Sequence, residues 1–192
     1  SAPGFIHCCE FGSKQLSVAC KARYTFAMNS TISQLSAEIG KTLGAHNATV
    51  TFAESCTGGG VAHAITAVPG SSAWFGSGFV TYANSAKHKI LGVSSELLDA
   101  QGAVSEPVVV QMAEGAVAAA GADFGVAISG IAGPGGGTAE KPVGTVWFCW
   151  TGPQGSLTQK HCFLGDRAEV REQAITICLK QLLQQVTGYY TV

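Results

Sequence analysis

From Asn29 onward, short apolar runs alternate with stripes of helical spacing. Ile32, Leu35, Ile39 and Leu43 repeat every three or four residues behind a Thr31-x-x-Gln34 capping box, which predicts a helix to about Gly44. Ala48 to Ala53 is a β-prone run, followed by the turn Glu54-Ser55-Cys56-Thr57-Gly58-Gly59-Gly60 and the helical stripe Val61, Ala64, Ile65, Val68. Phe79 to Ala83 predicts a second strand, with Asn84 capping a helix that carries Lys87, Ile90 and Leu91. A helix-rich stretch follows, in which Ser105 caps, Pro107 sits in the first turn, and Val109, Met112, Ala113, Ala116, Val117 and Ala120 form a narrow face for packing on a sheet.

Phe124 to Ser129 predicts a strand running into the glycine-rich loop Gly130 to Gly137. Val143 to Trp150 and Ser156 to Phe163 read as a hairpin around Gly152-Pro153-Gln154-Gly155, and Asp166 with Glu169 opens the last helix. The resulting order, α-β-α-β-α-α-β-β-β-α, predicts an α/β fold: a three-layer α/β/α sandwich with a mixed β-sheet, since a hairpin excludes an all-parallel one.

Composition narrows the function. The 192 residues are 46% apolar and 12% charged, enough for one core, and a formal net charge of −1 offers no footprint for nucleic acid or an anionic membrane. No apolar run reaches the ~18 residues of a membrane span. Seven cysteines, odd in number and without zinc spacing, fit reduced thiols in a cytoplasmic protein; neither a metal nor a cofactor is expected. The low charge and apolar helix faces predict a homo-oligomer. The first 27 residues mix Cys8, Cys9, Lys14, Cys20 and Arg23 without periodicity, which predicts a non-native or disordered extension ahead of a single domain over 28–192, a native arm being the alternative.

The candidate chemistry gathers at the strand ends. Ser55, Thr57 and Gly58 between a strand and a helix put hydroxyls and N–H groups at a helix N-terminus, where an anion or a developing oxyanion is favoured. A plain glycine turn capped by Ser or Thr accounts for the same residues. Lys87, five positions after Tyr82, enters from the sheet's end; desolvated, it would lose its proton readily and serve as a base toward a serine, whereas a solvated helix lysine like Lys89 is the other reading. Ser129, Gly130 and Arg167 complete the polar set, Arg suiting a phosphate. Trp74, Trp147 and Trp150 read most simply as core or interface residues, and only Trp74, after Gly70-Ser71-Ser72, lies where a base could stack.

The motifs Ala53-Glu54-Ser55-Cys56-Thr57-Gly58-Gly59, Phe79-Val80-Thr81-Tyr82-Ala83-Asn84, Gly102-Ala103-Val104-Ser105-Glu106-Pro107, Ser129-Gly130-Ile131-Ala132-Gly133-Pro134 and Lys141-Pro142-Val143-Gly144-Thr145-Val146 resemble the CinA C-terminal domain family over essentially Asn29 to Val186. The resemblance implies hydrolysis of the carboxamide of nicotinamide mononucleotide to nicotinate mononucleotide and ammonia, with Ser55 as nucleophile and Lys87 as base. It adds Ser129 and Arg167 as phosphate or amide contacts and requires no metal; with Thr57, Gly58, Tyr82 and Gly130 they make the expected substrate-binding set. A catalytically silent nucleotide-binding module linked to competence or DNA damage is the alternative. Gly60 and Gly135 stand where the family carries larger side chains, and predict a looser pocket.

Overall fold

The computed structural model describes residues 30–191; the expected extension over 1–27, with Cys8, Cys9 and Cys20, lies outside them. The elements are α1 (Ser30–Ala45), β1 (Val50–Glu54), α2 (Gly60–Thr66), a single 3-10 turn (Ser71–Ala73), β2 (Phe79–Val80), α3 (Asn84–Leu91), α4 (Ser95–Gln101), α5 (Glu106–Ala120), β3 (Phe124–Gly130), β4 (Thr145–Gly152), β5 (Gly155–Cys162) and α6 (Arg167–Tyr190). The sheet order is β2-β1-β3-β4-β5, with β1 parallel to β2 and β3, and the β4–β5 hairpin antiparallel. This is the expected mixed sheet in three layers.

Side-chain size decides what each face holds. Phe52, Ile128, Phe148 and Trp150 fill one face beneath α1, α2 and α6, where the Trp150 indole donates to Cys178 O at 3.0 Å. On the other face Ala53, Ala127 and Cys149 are small, and α5 sinks Val108, Val109, Met112, Ala113 and Ala116 onto them. Both faces of β1 are covered, so all five of its residues are buried and the strand shows no alternation. Gly115 lets α5 close on α3, because a Cβ there would run into the Leu91 carbonyl; Lys87 lies one turn before that contact. Among the described residues no helix is long and apolar enough to cross a membrane.

Local signals fared unevenly. The Asp166–Glu169 capping box forms as expected, Asp166 accepting from Ala168 N and Glu169 N. Thr31 lies inside a helix that already includes Ser30, so it does not begin one. Ala83 takes the N-cap of α3, leaving Asn84 within the helix, and Ser105 occupies the N-cap of α5 but turns its hydroxyl to Gly102 O. Trp74 takes the simpler of its two readings: its indole is buried over Gly40 on α1, where a glycine is needed to admit it, and it offers no platform for a base.

Candidate active site

The end of β1 splits two side chains between the faces of the sheet. Glu54 turns toward α2 and is only 1% exposed. Its carboxylate accepts from Gly59 N at 3.0 Å, Val61 N at 3.1 Å and Ala62 N at 2.8 Å. A buried carboxylate is costly unless so bonded, and the partial positive charge of the helix end suits it. The expected anion site at this helix end is therefore already filled by the chain's own carboxylate.

Ser55 points the other way, toward α3, and is 8% exposed. The Lys87 side chain is fully buried, at 0% exposure, and Nζ donates to Ser55 Oγ at 3.1 Å, Thr81 O at 2.8 Å and Tyr82 O at 3.4 Å. Those acceptors explain why β2 ends at Val80, short of the expected Ala83: the chain bends so that two carbonyls face the amine. Among the described residues no carboxylate is a partner of Nζ, and burial pulls the Lys87 pKa below the ordinary lysine value. The solvated-lysine reading fails, and the geometry suits proton transfer from Ser55. Cys56, beside the serine, is no rival nucleophile, because burial pushes its thiol up to about 11.

Ser129 lies next to Ser55. Glu54 pairs with Ile128, Ser55 N donates to Ile128 O at 2.9 Å, and the parallel register continues to Ser55 beside Ser129. Ser129 is 1% exposed and its hydroxyl has no partner among the described residues; the buried hydroxyls of Thr57 and Thr81 are likewise unpaired. Gly130 is demanded by packing, since a Cβ there would meet Thr145 O at 2.8 Å and Cys56 Sγ at 3.1 Å. The left-handed Gly58 (φ 58°) and Gly59 (φ 92°) carry the loop into α2.

Arg167 spans two sides of the site, Nη1 donating to Gly133 O and Nη2 to the Tyr82 hydroxyl, both at 2.8 Å. It lines a cleft of about 650 Å³ with Ala132, Pro134, Val143 and Arg171. Arg171 escaped the sequence reading. Its Nη2 donates to Thr57 O at 2.8 Å, while its buried Nε has no partner among the described residues. The signal was available: four residues after Arg167 on one helix puts both cations on one face. Gly60 does not loosen the pocket, because Ile175 takes the space, with Cδ1 2.5 Å from where a Cβ would stand; Gly135 faces open space.

The CinA C-terminal domain model matches residues 32–186. The chain is 58% identical over 158 residues to the nicotinamide-nucleotide amidohydrolase PncC of Escherichia coli K12, covering 82% of this chain and 96% of that protein. It is 52% identical over 153 residues to the protein of the same name from Pseudomonas putida, covering 80% and 96%. Its fold superimposes on the crystal structure of the competence damage-inducible protein A of Klebsiella pneumoniae with a TM-score of 0.79 at 40% identity, over 81% of this chain and 97% of that one. The match runs from the first turn of α1 to the end of α6 and takes in every polar residue placed around Ser55, so the chain belongs to the CinA C-terminal domain family.

Proposed function

We propose that this chain hydrolyses the carboxamide of nicotinamide mononucleotide to nicotinate mononucleotide and ammonia, the activity in the name of its relatives at 52–58% identity. The observation that carries the mechanism is the 3.1 Å contact between a buried, carboxylate-free Lys87 amine and Ser55 Oγ. As Oγ bonds to the amide carbon, its proton passes to Nζ and the carbonyl π pair moves onto oxygen. Collapse of the adduct breaks the C–N bond, Nζ returns the proton to the departing nitrogen, and ammonia leaves. Water then cleaves the seryl ester, releasing the carboxylate and restoring the hydroxyl. Arg167 and Arg171 supply the positive end of the cleft for the substrate phosphate.

The test is incubation with nicotinamide mononucleotide, following ammonia and nicotinate mononucleotide by chromatography, with Ser55→Ala in parallel. Product from the wild type alone is expected. Product from the folded variant removes Ser55 from the mechanism, and a wild type that binds substrate but releases nothing supports a silent nucleotide-binding module.

A further inference from the structure

A buried backbone N–H needs an acceptor, so the amides of the loop that carries the nucleophile can be traced one by one. Ser55 N donates to Ile128 O at 2.9 Å, Gly58 N to Ser55 O at 3.1 Å and Gly60 N to Thr57 O at 3.1 Å. Gly59, Val61 and Ala62 donate to the Glu54 carboxylate. Two remain. The N–H groups of Cys56 and Thr57 donate to no acceptor among the described residues, beyond the Cys56 N–H leaning on its own thiol. Both residues are buried, at 6% and 0% exposure, and they follow Ser55 directly.

We infer that the Cys56 and Thr57 N–H groups receive the carboxamide oxygen of the substrate and hold its negative charge when Ser55 adds to the carbon. The inference rests on Ser55 being the nucleophile. Glu54 narrows the assignment, because it occupies the donors of α2 and leaves this pair within the loop that joins β1 to α2. Preorganised N–H donors aimed at a developing oxyanion are usually the largest electrostatic contribution to acyl transfer.

The local conformation offers a way to delete one donor. Cys56 and Thr57 are the central residues of a turn closed by the bond from Gly58 N to Ser55 O, and neither has a positive φ. Proline is favoured at the first central position of such a turn, and Ser55 ahead of it leaves a strand, as a residue before proline prefers. Cys56→Pro therefore keeps the turn and removes one N–H. The expected result is a drop in kcat on the order of 10²–10³-fold with KM little changed. A second readout is the ratio of turnover of nicotinamide mononucleotide to that of its thioamide analogue. Sulfur is a poor acceptor, so the wild type strongly prefers oxygen, and the preference shrinks in Cys56→Pro.

A folded Cys56→Pro with wild-type kcat, or with an unchanged oxygen-to-sulfur ratio, overturns the assignment while leaving the deamidase reading intact. A wild type that releases no ammonia removes both. Should Cys56→Pro fail to fold, the wild-type ratio decides alone: a preference for oxygen no larger than that of hydroxide in solution overturns the assignment.

Discussion

Two consecutive residues at the end of β1 show opposite ways of handling a buried ionisable group. On one face, three backbone N–H groups and a helix end surround the Glu54 carboxylate and satisfy its oxygens. On the other, the Lys87 amine beside Ser55 is equally buried but, among the described residues, meets two carbonyls and a hydroxyl, none of them charged. Compensation makes the carboxylate structural; its absence makes the amine ready to give up its proton. Strand alternation sets both environments a few ångströms apart without mixing them.

The comparison can be broken most severely at the amine. Lys87→Met should cut turnover on the order of 10⁴-fold with the fold retained, since it removes the base but fills the same space; a variant retaining a tenth of the activity sinks the assignment. The lowered pKa also fixes a sign. Between the folded value of Lys87 and 10.5 the unfolded chain binds more protons than the native one, so this group makes stability rise with pH across that window. Unfolding midpoints measured against pH should show that slope in the wild type and lose it in Lys87→Met.

On the Glu54 side the damage is to stability. Glu54→Ala leaves three donors of α2 unpaired and should cost about 3 kcal/mol in urea unfolding; a cost below about 1 kcal/mol would mean water replaces the carboxylate freely. Gly115→Ala attacks the amine from a distance by pushing α5 off the end of α3, for about 1–3 kcal/mol, with kcat falling more than KM changes. Unaltered kinetics there would show that α3 carries Lys87 without support from α5. Tyr82→Phe should do least: it takes one acceptor from Arg167 at the rim and should change KM only a few-fold in steady-state assays, with no change in the unfolding midpoint.

The legible parts of this molecule are those whose cause is local. Asp166 and Glu169 lie three residues apart and satisfy each other's backbone whatever surrounds them, so the start of α6 is written in the sequence. The core stripes of α1 and α5 are legible for the same reason. Asn84 failed as a cap because tertiary demand won: the chain at Thr81 and Tyr82 must turn its carbonyls to Lys87, which starts α3 with Ala83 at the cap. Trp74 reads as a core residue, but its partner does not, because nothing in its neighbours in sequence announces Gly40, more than thirty positions earlier. Arg171 reaches the site through Thr57 O, 114 residues away along the chain, a relation that no local pattern carries.

Gly60 was expected to open the pocket, yet the volume its missing side chain leaves is occupied by Ile175 reaching across from α6. Positions 60 and 175 therefore share one volume: a bulkier residue at the first fits once the side chain at the second shifts or is trimmed. Gly60→Ala by itself would push the Ile175 Cδ1 methyl aside at small cost, and the same change made together with Ile175→Val would remove the contact. What looks in sequence like two independent variations is in space a single choice about which helix supplies the methyl groups.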